Sequence, residues 1–429
     1  MTLNRILIVL ISFISNNVFC QIEIDLSDVK GNTSKTVPFS NGFISYGSGT
    51  SKKSSIVYYN EIGTQLWEKE IIPLNFHNEL IIGDEFAYHI NFSYVTSKSG
   101  NGNESPLQIT RIDRDGNQVF SNNKIPNFFK EIGTNIELDN IVSEAVICIN
   151  DNLYFLFDYL TTSGIGYYMC CIDKDFNSTI KKLNFQASVE DINLRKVGHP
   201  KIVGYDKTKI IMTQMKNNAG NFSFSITEVD ILDEELSESI LIENVKINNE
   251  LISGYFGFKG GDLSSDPSRI GANGLYTKIT VNSTSGLNNL FECKFIDESY
   301  YFFGFHNEND RINGVWMFSM NSKDSEGSTY VVKLENEEKL SSIGGDLNLF
   351  KVSDKIYLSI VKSDGLYIAD IEQNKIKKPS IQEILSEFSS MHNLLTYPEK
   401  KSGYKYVYVQ NGVIYLFNEI PNMVTVLKY

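Results

Sequence analysis

The sequence is poor in tryptophan, proline, cysteine and positive charge, and each shortage narrows the class of protein. Its 429 residues contain 2 Trp and 9 Pro but 23 Tyr and 27 Phe. Many rigid aromatic side chains and few prolines are typical of a strand-rich protein. The formal net charge is −13, and a chain without concentrated positive charge is not expected to bind nucleic acid. With 41% hydrophobic and 21% charged residues, the composition is that of a soluble globular protein.

The 5 cysteines exclude a disulfide framework, because such frameworks belong to short, cysteine-dense secreted chains. The Cys-x-x-Cys spacing with nearby His that would indicate a metal site is absent from the sequence. Cys170 and Cys171 are adjacent in a strand-like run, so their side chains are expected on opposite faces. Excluding the N-terminal cysteine, we predict buried free thiols at Cys148, Cys170, Cys171 and Cys293.

Long hydrophobic runs are missing except at the N-terminus, where the run is shorter than the roughly 20 residues of a membrane span. Arg5 precedes the apolar residues 6–14, and Val18 and Cys20 stand at the −3 and −1 positions of a cut before Gln21. This is the pattern of a secretory signal peptide. We predict that residues 1–20 are removed and that the mature protein is secreted, periplasmic or at the cell surface, with no membrane span.

Cys20 also permits a second interpretation, a lipoprotein in which this cysteine becomes the acylated first residue. Lipoprotein sites usually have a small residue just before the cysteine and Leu three positions before it. Phe19 and Asn17 occupy those positions, so plain secretion is favoured over lipidation.

A short pattern recurs seven times along the chain: Asp or Asn closes an apolar run and a second run rich in Tyr, Phe and Ile follows. Asp and Asn favour such turns because their side chains bond to their own backbone. The flanking runs have the length and composition of strands, so each site predicts a β-hairpin. The pattern occurs at Asn41, Asp84, Asp151, Asp206, Asp297, Asp354 and Asn411.

A second hairpin follows in most repeats, so that each repeat offers four antiparallel strands, the makeup of one propeller blade. These hairpins lie around Asn60, Asp113 and Asp173, and more loosely within residues 226–240, 317–332 and 367–378. The predicted fold class is all-β, a seven-bladed β-propeller of four-stranded antiparallel blades. Since an insertion can conceal or mimic a blade, six and eight blades are the alternatives.

The two chain ends complement each other. The seventh repeat gives three strands before Tyr429, and residues 22–26 form a single alternating strand without a partner in the first repeat. If this strand pairs with the strand at residues 423–429, the last blade is completed and no exposed edge remains there. We therefore expect residues 21–429 to form one propeller domain closed by its N-terminal strand.

The hairpin IDRDGN at residues 112–117, its echo IDKDFN at 172–177 and the two-ended closure together resemble bacterial secreted β-propellers. The resemblance implies a propeller over nearly the whole mature chain and carries no particular activity. The Gly-His and Trp-Asp pairs of WD40 propellers are absent, as is the Ala-x-Asp repeat of quinoprotein-like propellers.

Long irregular stretches fall between blades or between second and third strands, which share one face of a propeller. That face is the candidate binding surface, because function concentrates where long loops meet a rigid scaffold. The stretches are residues 96–106, 121–139, 184–198, 247–289 and 379–402.

The insertion at residues 247–289, between blades 4 and 5, is the most distinctive stretch. Its aromatic residues Tyr255, Phe256, Phe258 and Tyr276 are either platforms for a sugar or peptide, or parts of an extra hairpin packed on the propeller. Residues 380–391 predict a short helix from a capping box and an apolar stripe. This helix covers a blade edge or binds a partner.

His77 and His199 lie on or just before predicted inner strands, where side chains can reach a central channel. With Glu79, Glu144 and Glu292 on other inner strands, an acid/base or metal site is one interpretation. The other interpretation, which we favour, is that both histidines are structural. No established catalytic motif occurs, so we predict no catalytic residue, metal or cofactor.

Asp113, Asp115 and Asn117 resemble the start of a calcium loop, and the spacing repeats at Asp173. The bidentate Glu that such a loop requires at its twelfth position is replaced by Lys124. We therefore interpret the pattern as turn chemistry.

The sequence favours a secreted, monomeric propeller that binds a glycan or protein on its long-loop face, with His77 and His199 as further candidate contacts. One alternative is an extracellular enzyme acting on carbohydrate or another polymer at the channel mouth. The other is a structural part of a cell-envelope assembly.

Overall fold

The fold was determined from a computed structural model. It describes residues 20–26, 29–30, 32–48, 54–71, 77–92, 107–121, 141–161, 164–187, 200–218, 221–233, 235–246, 292–308, 311–322, 327–333, 347–362, 365–379, 383, 395–399, 403–410, 413–418 and 423–428. Within these residues there are 29 β-strands, arranged in seven antiparallel sheets.

Six sheets contain four strands each, and in each the strands are adjacent in chain order. Sheet 1 contains β2 (Asn32–Phe39), β3 (Gly42–Ser48), β4 (Ser54–Asn60) and β5 (Gln65–Ile71). Sheet 2 contains β6 (His77–Ile82), β7 (Ala87–Phe92), β8 (Leu107–Ile112) and β9 (Gln118–Phe120). Sheet 3 contains β10 (Ile141–Ile149), β11 (Asn152–Thr161), β12 (Gly164–Ile172) and β13 (Ser178–Ala187).

The next three sheets follow the same plan. Sheet 4 contains β14 (Lys201–Tyr205), β15 (Lys209–Asn218), β16 (Asn221–Asp230) and β17 (Glu238–Lys246). Sheet 5 contains β18 (Glu292–Ile296), β19 (Ser299–Glu308), β20 (Arg311–Asn321) and β21 (Gly327–Lys333). Sheet 6 contains β22 (Leu347–Val352), β23 (Lys355–Lys362), β24 (Gly365–Asp370) and β25 (Lys375–Lys377).

Sheet 7 joins both ends of the described chain. It contains β26 (Leu395–Glu399), β27 (Gly403–Gln410), β28 (Val413–Asn418), β29 (Met423–Lys428) and β1 (Cys20–Asp25). Its order is β1-β29-β28-β27-β26, and β1 pairs antiparallel with β29 from Cys20 opposite Lys428 to Asp25 opposite Met423. The predicted pairing of the two ends is confirmed.

The seven sheets are the blades of a β-propeller, so the predicted fold class is confirmed. Each of the seven recurring Asp or Asn sites lies between two consecutive strands of one sheet, from β2–β3 at Asn41 to β27–β28 at Asn411. The second set of hairpins corresponds to β4–β5, β8–β9, β12–β13, β16–β17, β20–β21 and β24–β25.

Sheet 7 has one strand more than expected. The extra strand, β26, lies within a stretch that the sequence predicted as a loop. β27 lies beside β2, whereas β26 lies beside β23 and β24. The hairpin β27–β28 is therefore the counterpart of the recurring hairpins in the other sheets, and β26 is an addition to it.

By compactness the chain divides into two units. The first comprises Met1–Ala87, Ile112–Gln118 and Val332–Tyr429. In one of its core clusters Ile24 of β1 and Val426 of β29 pack with Phe43 and Tyr59, whose rings stack 5.1 Å apart. Fully burying a large apolar side chain contributes about 1.5–3 kcal/mol, so β1 is held by apolar packing as well as by its hydrogen bonds.

The second unit comprises Tyr88–Arg111 and Val119–Val331. One core cluster joins sheets 4 and 5, with Phe224 and Phe302 at a ring-centroid distance of 4.6 Å and Trp316 fully buried. A second cluster joins sheets 3 and 4 through side chains such as Tyr167 and Met212. Adjacent sheets of this unit thus bury their facing sides against each other.

Candidate functional site

In sheets 2 to 6 the longest connections all leave from the same end of the sheet. In a sheet whose strands run antiparallel in chain order, the first and third turns share one end, and the second turn and the exit share the other. At the first end of sheets 1 to 6 the connections have two to seven residues, for example two between β10 and β11 and seven between β16 and β17. At the second end lie the long connections, residues 93–106, 121–140, 188–200, 247–291, 334–346 and 378–394.

Most of the predicted binding residues fall in those connections. Tyr255, Phe256, Phe258, Tyr276 and His199 lie outside the described residues. His77 is the first residue of β6, and β14 begins two residues after His199. His77 therefore lies on the first strand of sheet 2, whereas the predicted access of the two histidines to a central channel and their binding role stay predictions.

The three glutamates of the candidate channel site also lie on first strands. Glu79 is on β6, Glu144 on β10 and Glu292 on β18. Glu144 stands at a register shift, since Ser143 pairs with Phe157 while Ala145 pairs with the next residue, Leu156.

The predicted helix at residues 380–391 is described at one residue. Glu383 has helical backbone, and Lys377 Nζ lies 3.4 Å from its Oε1. The remaining residues of that range are outside the described part of the chain.

In the Asp-rich turns at residues 113–117 and 173–177, the carboxylates accept hydrogen bonds from residues of the same turn. Asp113 Oδ1 accepts hydrogen bonds from the backbone N–H of Asp115 at 3.0 Å and of Asn117 at 2.8 Å, and its Oδ2 accepts one from Asn117 Nδ2. Burial raises the pKa of Asp113, but the hydrogen bonds from Asn117, Asp115 and Gly116 outweigh it and the pKa is lowered. Asp173 repeats the same bonds, which confirms turn chemistry at both sites.

Residues in or beside these turns also form hydrogen bonds with the neighbouring sheet. In the first unit Gly116 has a φ of +81°, and a Cβ there would lie 2.8 Å from Cγ of Trp67 on β5. The indole Nε1 of Trp67 donates a hydrogen bond to the Arg114 carbonyl at 3.0 Å. In the second unit the Arg111 guanidinium donates to the Lys174 carbonyl and lies 5.9 Å from the Phe176 ring centroid.

Cys148, Cys170, Cys171 and Cys293 are free thiols, as predicted, but only Cys170 and Cys293 are buried, so the predicted burial is wrong for Cys148 and Cys171. Cys170 is buried and Cys171 is half-buried, and they lie on opposite faces of β12. Burial raises the pKa of the Cys171 thiol to about 11, although a hydrogen bond with Tyr154 opposes the shift. Burial also raises the pKa of the Cys170 thiol. Thiols that stay protonated at neutral pH are poor nucleophiles.

A buried histidine was not singled out by the sequence. His89 on β7 is 2% exposed, and burial lowers its pKa from 6.5 to about 4. His89 lies on the same face of β7 as Ala87 and Asn91 and alternates with Tyr88 and Ile90, a pattern typical of a strand with one polar face. The only signal for the burial of His89 in the sequence is a high proportion of apolar residues on the strands that flank β7.

Exposed apolar side chains are spread over turns and strand edges. In the first unit they are Ile62 and Leu66. In the second they are Val119, Phe120, Tyr205, Leu232 and Tyr330. Scattered exposed apolar residues are normal on a soluble protein.

The described residues contain neither a metal-binding cluster nor a membrane-spanning helix. No group of three or more His, Cys, Asp or Glu side chains is placed to hold a metal ion there. None of the helices described is long and apolar enough to cross a membrane.

The sequence matches no protein-family profile and no curated protein. Similar solved structures include the β-propeller domain of Nup133 from Vanderwaltozyma polyspora, 9% identical, covering 97% of this chain and 99% of that chain at a TM-score of 0.44. The β-propeller domain of the Trilobed protease from Pyrococcus furiosus is 9% identical, covers 91% and 94% of the two chains and has a TM-score of 0.40.

An acylaminoacyl peptidase from Pyrococcus horikoshii is 10% identical and covers 90% of this chain at a TM-score of 0.42. The chain spans 50% of the length of that peptidase. At these values the likenesses carry no argument about function, and the fold class rests on the strand order of the seven sheets.

Proposed function

We propose that this chain is a secreted β-propeller module that binds a glycan or protein ligand through the long connections of its sheets. The observation that carries the proposal is the contrast between the two ends of the sheets, with tight turns at one and connections of up to 45 residues at the other. Long connections on a rigid sheet scaffold are where binding residues concentrate. Secretion is supported by the signal-peptide pattern of residues 1–20.

The insertion supplies the chemistry for recognition. Tyr255, Phe256, Phe258 and Tyr276 stand among glycines and small polar residues. Aromatic rings provide large, rigid apolar surfaces on which a sugar ring or a peptide side chain packs. The ligand contact is proposed within this segment, with His77 at the start of β6 and His199 just before β14 as secondary contacts.

A glycan array and a pull-down from extracellular material, both with residues 21–429, test the proposal. Tyr255→Ala combined with Phe256→Ala is expected to weaken binding of the captured ligand at least about tenfold, because stacked aromatic contacts are lost. The matched control is Phe120→Ala, which removes an aromatic ring that is 49% exposed on β9. Equal binding by both variants would place the ligand elsewhere.

A second candidate function is an extracellular enzyme. It is favoured by one observation, that His77 and Glu79 share β6 while Glu144 and Glu292 lie on first strands of two other sheets. Turnover of a polysaccharide by the mature chain, abolished by His77→Ala or Glu144→Gln in folded protein, would replace the binding proposal by this one.

Secretion has its own test. Intact-mass analysis of protein recovered from outside the producing cell is expected to show a chain beginning at Gln21. A chain retaining Met1, or one acylated at Cys20, would overturn the predicted cleavage.

A further inference from the structure

The predicted signal-peptide cut lies inside a strand of sheet 7. β1 begins at Cys20 and pairs with β29, with Cys20 opposite Lys428 and Gln21 opposite Leu427. A mature chain that begins at Gln21 therefore has no overhang, because its first residue is already a paired residue of the ladder. The chemical state of the α-amine of Gln21 then determines how β1 ends.

β1 is held by side chains close to that end. Ile22 packs against a core cluster of the first unit, in which Ile24 is 6% exposed and Leu26 is fully buried. A Cβ on Gly63 would lie 2.5 Å from Cγ1 of Ile24, so the turn between β4 and β5 lies directly on the strand. Loss of residues from the N-terminus would remove Ile22 and then Ile24 from the cluster, leaving a cavity and an unpaired edge on β29.

The N-terminal end of the ladder is open to trimming. The last pairs of a ladder open locally at little cost in free energy, and proteolysis concentrates at chain termini. Gln21 and Leu427 become the terminal pair once Cys20 is removed. An aminopeptidase needs a free α-amine, so a mature chain whose first amine is blocked keeps β1 whole.

Given cleavage before Gln21 as proposed above, we propose that Gln21 cyclises to pyroglutamate in the mature chain and that this blocked residue protects β1. Gln carries its side-chain amide at the distance from its own α-amine that closes a γ-lactam. The α-amine nitrogen attacks Cδ and the N–Cδ bond forms. The Cδ–Nε2 bond breaks, and Nε2 takes a proton from the amine and leaves as ammonia. One amide replaces another, so the reaction consumes no co-reactant.

The product is compatible with the ladder. Cyclisation leaves the Cα and the carbonyl group of residue 21 unchanged, so the pairing with β29 continues from that carbonyl towards Asp25. It also replaces a charged ammonium group by a neutral amide, which costs less free energy to bring beside a packed sheet. Blocking therefore removes the point of attack for trimming without altering the strand that closes sheet 7.

Intact-mass and N-terminal peptide analysis of the full-length protein, secreted and measured at once on collection, tests the modification. The expected chain is residues 21–429, lighter by the mass of one ammonia. A chain that begins at Gln21 with a free amine, or that cyclises only during later storage, overturns the modification and leaves the cleavage standing. A chain that retains Met1, or is acylated at Cys20, overturns both the cleavage and the modification.

The protective role is tested with Gln21→Asn as the matched variant. Asn keeps the side-chain amide but is one methylene shorter, so cyclisation would have to close a strained β-lactam and the α-amine stays free. Both proteins are incubated with a broad-specificity aminopeptidase just below their melting temperature, and their masses are followed. Wild type is expected to keep its full mature length. The variant is expected to lose residues through Ile24, and its melting temperature to fall as β1 detaches.

Enzymatic unblocking gives the converse test on the wild-type chain. Pyroglutamyl peptidase removes the blocked residue and exposes the amine of Ile22, after which the aminopeptidase is expected to shorten wild type as fast as the variant. Equal resistance of blocked, unblocked and variant protein would overturn the protective role, since the packing of Ile22 and Ile24 alone would then keep β1 intact. Equal melting temperatures of the untreated proteins verify that the variant is folded.

Discussion

Acid is expected to destabilise this protein through one buried side chain, His89. The imidazole is 2% exposed, and burial lowers its pKa from 6.5 to about 4. Between these two values the unfolded chain binds a proton that the folded chain does not. The free energy of unfolding therefore falls as the pH falls from 6.5 towards 4, and His89 contributes no pH dependence above that window.

The size of the effect follows from the shift. A difference of one pKa unit corresponds to 1.36 kcal/mol, so the full shift of His89 is worth about 3 kcal/mol below pH 4 and about 2.5 kcal/mol at pH 4.5. A loss of this size is a large fraction of the roughly 5–15 kcal/mol by which domains are stable.

Denaturant unfolding at pH 7.5, 5.5 and 4.5 measures the effect, with His89→Gln and His89→Phe as matched non-titrating variants. Carboxylates titrate in all three proteins, so the difference in pH dependence between wild type and variant isolates His89. Both variants are expected to lose about 2.5 kcal/mol less than wild type between pH 7.5 and pH 4.5, whatever their stability at pH 7.5. Parallel pH curves, or an NMR titration of His89 near pH 6.5, would refute the reasoning from burial.

Three other predictions concern local packing. Gly116→Ala is expected to lower the free energy of unfolding by about 1–3 kcal/mol, because φ is +81° and the new Cβ meets Trp67; unchanged denaturation would contradict this. Tyr300→Phe should leave the free energy of unfolding unchanged or raise it by up to about 1–3 kcal/mol, since the hydroxyl is buried with no hydrogen-bond partner in the described part of the chain. A loss above about 1.5 kcal/mol would indicate a partner. Cys170 and Cys293 should react with a thiol reagent only after unfolding, and rapid labelling of native protein would show them accessible.

The hairpins were predictable because their chemistry is local. Asp113 bonds to residues two and four positions further on, so the signal lies within five residues of sequence. Strand β26 was missed because LTYPE contains a proline and little alternation, and Pro is rare inside strands. Its pairing with β27 depends on a neighbour rather than on its own pattern.

His89 shows the same limit on the prediction of sites. In AYHINF, polar His89 and Asn91 alternate with apolar residues, which normally indicates a strand with one face in water. Both are buried, at 2% and 7% exposure. Whether a strand face meets water or another sheet is decided by the packing of sheets, which the period of a single strand does not encode.

The pairing of β1 with β29 determines how the molecule responds to pulling. Because the strands are antiparallel, the start of β1 lies beside the end of β29, with Cys20 opposite Lys428. A force drawing the two chain ends apart would therefore load the six residue pairs one after another, opening the ladder like a zipper rather than shearing it.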